Sequence, residues 1–145
     1  MKKNKICKIL KIDYGHRVMG HENKCATVHG HLGVIHVHAC SDDLDSVGRV
    51  IDFSVIKEKV GGWLDTYWDH AFIANKDDRQ LIANITVIPG QFKPIFELPS
   101  NPTAENLASY LLHEVCPLLM AGTGVTIYKI EFWETATSCG IAELG

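Results

Sequence analysis

The chain lacks any apolar run approaching the roughly 18 residues that a membrane-spanning helix needs, which argues against an integral helical membrane protein. It lacks a CxxC pair: its five cysteines, Cys7, Cys25, Cys40, Cys116 and Cys139, are odd in number and widely spaced. That pattern argues against a disulfide framework and for free thiols in a reducing compartment. It lacks a surplus of either charge, with 14 basic against 17 acidic residues and a formal net charge of -3. Electrostatics therefore gives no reason to expect nucleic acid or an anionic membrane as partner, and a small molecule is the expectation. Internal repeats and low-complexity segments are also missing. The opening Met1-Lys2-Lys3-Asn4-Lys5 leads into alternating sequence rather than an apolar export segment, so the expected location is the cytoplasm.

What is present fits one domain over residues 1–145, whose 46% hydrophobic content is enough for a single core. Ile6, Leu10, Ile12 and Tyr14 share one parity, with Lys8 the exception, and predict a half-buried strand ending near His16. Residues 20–24 read as a loop. Residues 29–40 read as a second strand with Gly33, Ile35, Val37 and Ala39 on one side, a parity that His29 and His31 share. Asp52 is placed to cap a helix carrying Phe53, Ile56, Val60 and Trp63 or Leu64, which Gly61-Gly62 should fray or end. A second helix is expected to begin near Asn101-Pro102-Thr103 and to run through Leu107, Leu111 and Val115 until Pro117 stops it. Residues 85–88 and 92–98 flank Pro89-Gly90 and suggest a hairpin, its second arm confined by Pro94 to an edge or bulge. The last strand spans 125–133, with Thr126, Tyr128, Ile130 and Phe132 leading to Glu134 on the same side. Together these predict an α+β layer: an antiparallel sheet with two helices on one face, its edges suited to closure by neighbouring subunits.

Three histidines fall at strand ends on faces that can converge: His16 after the first strand, His29 and His31 at the mouth of the second. Residues two apart on a strand share a side, so His29-Gly30-His31 can offer two imidazoles to one ion. Three neutral ligands would leave the metal's charge and one coordination position open, the arrangement of a catalytic zinc, although other divalent ions also accept three imidazoles. An HxH pair alone is more often not a ligand pair. His36 and His38 repeat the spacing on the other parity without a neighbouring thiol and read as surface or interface residues.

Cys25 lies four residues before His29, where a cation would favour its thiolate, although a lone cysteine is usually an inert small hydrophobe. Asp69-His70 interrupts an aromatic run and reads either as a carboxylate-tuned general acid/base or as a polar helix-end cap. Glu134 either pairs with a donor such as a guanidine-like ring edge or ends a fraying surface strand.

These residues fall in an order that resembles a known family. Asp13-Tyr14-Gly15-His16-Arg17, Cys25-Ala26-Thr27-Val28-His29-Gly30-His31, Val50-Ile51-Asp52-Phe53, Trp68-Asp69-His70, Asn101-Pro102-Thr103-Ala104-Glu105-Asn106 and Trp133-Glu134-Thr135 are similar to the landmarks of the 6-pyruvoyl-tetrahydropterin synthase family. The resemblance covers nearly the whole chain. It implies the tunnelling fold, a four-stranded antiparallel sheet with two helices on one face, three such sheets closing into a barrel and two trimers stacking into a hexamer. It implies zinc on His16, His29 and His31, Cys25 as the thiol base, Asp69 and His70 as relay partners, Glu134 as pterin anchor and Thr103 as a second pterin contact. The implied substrate is 7,8-dihydroneopterin triphosphate. An interval of three residues between the cysteine and the His-Gly-His run is similar to the bacterial 6-carboxy-tetrahydropterin synthases of the queuosine route. Pyruvoyl formation and side-chain cleavage are the other reactions the family implies, and a non-catalytic pterin- or zinc-binding module is the reading from a different class.

Overall fold

In the computed structural model, which describes residues 3–145, the first two stretches of alternating sequence form one long antiparallel pair. Strand β1 (Asn4–His16) lies against β2 (His29–Ser41) in unbroken register from Asn4 opposite Ser41 to His16 opposite His29. Alternation buries Leu10, Ile12 and Tyr14 of β1 with Ile35, Val37 and Ala39 of β2 on one face, as the parity of each strand requires. Of the opening residues, Met1 and Lys2 lie outside the described part of the chain.

Asp52 caps α1 (residues 53–67), its side chain accepting the Ser54 N–H at 2.8 Å. The helix is not ended by Gly61-Gly62; a π-helical turn, Lys57–Gly61, carries it through to Tyr67. Val60 and Leu64 are buried there, so packing on the sheet outweighs the weak helix propensity of the glycines. β3 (Ala71–Asn75) follows and pairs parallel with β1, and α2 (Arg79–Thr86) comes next. The hairpin expected at 85–98 is absent among the described residues. Ile85 belongs to the end of α2, Pro89-Gly90 is a plain turn with Gly90 at φ +85°, and Phe92 is fully in solvent. Only β4 (Phe96–Leu98) is a strand, and it pairs parallel with β3. The error has a physical origin: 85–88 holds β-branched residues, but its Ile85 continues the helical spacing set by Ile82.

Thr103 begins α3 (residues 104–119) by accepting the Asn106 N–H, and Pro117 does not stop it. A wide turn, Leu111–Val115, precedes the proline and shifts the hydrogen-bond register, so the missing N–H is absorbed and the helix goes on to Leu119. The chain ends with β5 (Thr126–Thr135) and β6 (Ser138–Glu143), both antiparallel to their neighbours.

Among the described residues the strands form a six-stranded sheet in the order β4-β3-β1-β2-β5-β6. The expected antiparallel set of four is present as β1, β2, β5 and β6, and the correction is the pair of short parallel strands added beside β1. α1 and α3 cover one face, where Ile56, Leu64, Leu107 and Leu111 meet Ile35, Ile130 and Phe132. No helix among the described residues is long and apolar enough to cross a membrane.

Two bulges in β5 matter. Val37 faces Ile130 but Ala39 faces Ile127, so one extra residue enters near Tyr128. Ile127 takes the core position, and the expectation that Tyr128 shares a side with Ile130 is corrected: its ring stands beside His38 instead. Further along, Trp133 faces Cys139 but Thr135 faces Ser138, which leaves Glu134 as the extra residue, its side chain on the face of Phe132 as alternation predicts.

β6 fits under α3 only because residue 140 has no side chain. A Cβ at Gly140 would lie 2.4 Å from Glu105 N and 2.5 Å from the Ala104 carbonyl carbon, both backbone atoms. Gly140→Ala should therefore cost about 3 kcal/mol, the upper end for overpacking, read as a lower urea midpoint at unchanged slope.

Candidate metal centre and active site

The full register of β1 against β2 sets His16 directly opposite His29 and Tyr14 opposite His31. Alternation then brings the rings of His16, His29 and His31 to one side, with centroids 4.6, 5.1 and 4.9 Å apart. One ligand nitrogen from each lies within 4.8 Å of the others. The expected histidine triad is thus brought together.

Backbone carbonyls set the orientation of two of the rings. His16 Nδ1 is 2.7 Å from the Pro102 carbonyl oxygen and His29 Nδ1 is 2.5 Å from that of Thr27. A carbonyl only accepts, so each Nδ1 carries the proton and each Nε2 is left with a lone pair. The Nε2 atoms of His16 and His31 are buried without a hydrogen-bond partner. Leaving such atoms unpaired costs about 1–3 kcal/mol each, and a divalent cation would satisfy both. Burial, reinforced by the neighbouring His29 and His31 against the opposing Pro102 hydrogen bond, lowers the pKa of His16 to about 4. Burial lowers His31 as well. Neutral imidazoles are the protonation state that metal ligation needs.

This has a measurable consequence in metal-stripped protein. The folded pKa of His16, about 4, lies below its unfolded value of roughly 6.5. Above the higher value both states are neutral; between the two, only the unfolded state takes up the proton, so stability falls as pH drops. Acidification from pH 7 to pH 4 in chelator should remove roughly 3 kcal/mol through this residue. Urea denaturation across that range should show the loss, and His16→Gln should flatten it.

Glu134 reaches the same point from β5. Its Oε1 lies 3.4 Å from His16 Nε2 and 3.6 Å from His31 Nε2, on the face it shares with Phe132. Asp69 and His70 also come together. Asp69 Oδ1 accepts the Asp13 N–H at 2.9 Å, and Oδ2 lies 2.9 Å from His70 Nδ1. Burial would raise the Asp69 pKa, but the Asp13 N–H and the His70 contact outweigh it and hold the carboxyl below its usual range. His70 takes a left-handed backbone conformation, φ 60°, with its N–H on the Asp13 carbonyl at 2.6 Å. A bulky residue held there stores strain. Its ring opens onto a groove lined also by Tyr14, Gly30 and His31, so His70 and one member of the triad border the same groove.

Cys25 and Thr103 stand apart from these groups. Cys25 sits in a short turn, Lys24–Ala26, capped by Asn23 and tied to the end of β1 by the Val18 N–H on its carbonyl at 2.8 Å. Its thiol is half-buried and outside the three-nitrogen group. Thr103 caps α3, next to the Pro102 carbonyl that holds His16.

Sequence reasoning missed the residues that hold the site in place. Asn101 Oδ1 accepts from Met19 N–H and Asn75 Nδ2 at 3.2 and 3.1 Å, while its own Nδ2 donates to the Met19 carbonyl at 2.9 Å. It fastens the Pro102 segment to the chain leaving β1. The Asn101-Pro102-Thr103 run is a visible signal, as a helix start and as a family landmark, but neither reading points to this tie through the Asn101 side chain. The Pro102 and Thr27 carbonyls have no side-chain signal at all.

Comparison with known proteins decides the family. The family model described as 6-pyruvoyl tetrahydropterin synthase matches residues 5–144. The chain belongs to this family. Relatives include the 6-carboxy-5,6,7,8-tetrahydropterin synthase of Rickettsia felis, 36% identical over 126 residues that cover 87% of this chain and 90% of the relative. The Haemophilus influenzae protein of the same name is 31% identical over 137 residues, covering 92% and 94%. Among solved structures, an uncharacterised protein of Wolinella succinogenes has a TM-score of 0.82 at 25% identity over 97% of both chains. Caenorhabditis elegans 6-pyruvoyl tetrahydropterin synthase has a TM-score of 0.70 at 19% identity, covering 98% of this chain and 96% of that one. The fold is therefore the α+β tunnelling fold of 6-pyruvoyl tetrahydropterin synthases, and the chain is an enzyme of their lyase type.

Proposed function

We propose that this family member converts 7,8-dihydroneopterin triphosphate, with consumption of one water, to 6-carboxy-5,6,7,8-tetrahydropterin, releasing acetaldehyde and triphosphate, as a step toward queuosine. One observation carries the reading. Three imidazoles, two oriented by carbonyls and two with unpaired buried Nε2 atoms, bring ligand nitrogens within 4.8 Å of one another. Identity of 36% to a 6-carboxy synthase supports the carboxy product over the pyruvoyl one.

The proposed ligands are His16, His29 and His31, and zinc is the proposed ion, supplying Lewis acidity toward the oxygens of the substrate side chain. Glu134 accepts N–H groups from the guanidine-like edge of the pterin, with the Thr103 hydroxyl as a second ring contact. Cys25 takes a proton from the substrate as thiolate. His70, its Nδ1 held by Asp69, exchanges a proton through Nε2 at the open side of the cleft. The proposed assembly is a cytoplasmic homohexamer in which three sheets close a barrel. The sheet has two edge strands to offer, β4 and β6.

The test is product analysis with metal quantitation on the same preparation. Incubation with dihydroneopterin triphosphate should yield the carboxylated pterin with matching acetaldehyde and zinc in the protein. A pyruvoyl product without aldehyde would overturn the assignment.

A further inference from the structure

The face of the sheet away from the helices carries a second group of metal-binding side chains. His36 and His38 were expected to lack a neighbouring thiol, and the structure corrects this: β1 pairs Cys7 directly with His38, and Cys7 Sγ lies 3.9 Å from His38 Nε2. One ligand atom each from Cys7, His36 and His38 lies within 4.8 Å of the others. The next strand adds a carboxylate. Glu131 faces His36 in the register of β2 with β5, and its Oε2 lies 2.5 Å from His38 Nε2 and 3.9 Å from His36 Nδ1. We propose that Cys7, His36, His38 and Glu131 form a second metal site, taking a zinc-like divalent cation and separate from the histidine triad.

The donor chemistry supports a closed, structural site. Two imidazoles, one thiolate and one carboxylate fill a tetrahedron, and their two negative charges neutralise the ion. Ligand atoms around such an ion stand roughly 3.3–3.8 Å apart, given bonds of about 2.0–2.3 Å. The Cys7–His38 and His36–Glu131 separations, both 3.9 Å, are close to this. The short His38–Glu131 contact is that of groups sharing a proton, which the cation would replace. Trp133 Nε1–H donates to the other Glu131 oxygen at 3.2 Å, a contact that holds a ligating carboxylate in place. The bulge at Tyr128 brings that ring beside His38 and closes one side of the group. On β2 the nearest ligands of the two groups, His31 and His36, are five positions apart and of opposite parity, roughly 16 Å at the rise of a β-strand and on opposite faces of the sheet. The two sites can therefore load independently.

Cobalt(II) and zinc titration of the full-length protein tests this. Wild type should bind about two equivalents per chain, and Cys7→Ser about one, with turnover unchanged. The thiolate-to-cobalt absorption should survive Cys25→Ala and vanish in Cys7→Ser. His36→Ala, an independent variant on the same face, should lose the same equivalent, and circular dichroism checks the fold of both. A single equivalent in wild type, or identical stoichiometry and spectra in wild type and Cys7→Ser, would overturn the second site.

Discussion

Replacing His29 with alanine should strip the catalytic metal and lower kcat/KM by at least about 10³-fold, while the fold survives. The size follows from what the substitution removes. Loss of a residue that merely orients a ligand typically costs 10–100-fold in affinity or activity, and His29 is itself one of the three proposed donors. Lewis-acid stabilisation of a developing charge is worth several kcal/mol, and each 1.36 kcal/mol is tenfold in rate, so a drop of about 10³-fold is a lower figure. The stability of the metal-free protein should change by less than about 1 kcal/mol, because His29 is only partly buried at the sheet's end. His16 would be the poorer choice, being 1% exposed and packed against Tyr14. Metal quantitation and steady-state kinetics check the prediction. An His29→Ala protein that keeps its full metal content and turnover would remove the triad from the mechanism.

Cys25→Ala should lower kcat by about 10²–10⁴-fold, the usual contribution of a general base, with metal content unchanged. The separation of the two effects rests on geometry: the thiol lies outside the three-nitrogen group, in a turn held by Asn23 and the Val18 N–H. KM should change little, because the proposed pterin contacts, Glu134 and Thr103, are untouched by the substitution. Turnover within threefold of wild type would exclude Cys25 as the base and leave His70 to be tested by the same assay. Each variant reports a different loss, since His29→Ala empties the protein of catalytic metal and Cys25→Ala does not.

The parts of this molecule readable in advance are those where a local pattern and the tertiary structure agree. Alternation in β1 and β2 gave both strands and put His16, His29 and His31 at ends that can converge, while the pairing of His16 with His29 comes from the unbroken register of the structure. Asp52 marked the first long helix as its cap, and the Asn101-Pro102-Thr103 run marked the start of the second, where the cap is Thr103 and the proline lies just before it. What escaped were features without a side-chain pattern. The bulges at Tyr128 and Glu134 insert one residue each, and the first changes which neighbours face the core. The strands β3 and β6, five and six residues long, are too brief for alternation to register. Gly61-Gly62 and Pro117 are local breakers overruled by packing and by wide helical turns. Cys7 was the most instructive loss: it lies 31 positions from His38 in the chain, and only strand pairing makes them neighbours.

The hydrogens on His16 Nδ1 and His29 Nδ1 go to main-chain oxygens rather than to carboxylate side chains. No codon change at residue 27 or 102 can delete those acceptors, since every amino acid brings the same carbonyl. The tautomers are thereby insulated from point mutation. The corollary is a lack of adjustability: drift or engineering can retune these imidazoles only by bending the loops that present them, such as the one Asn101 pins, and not by swapping a partner residue.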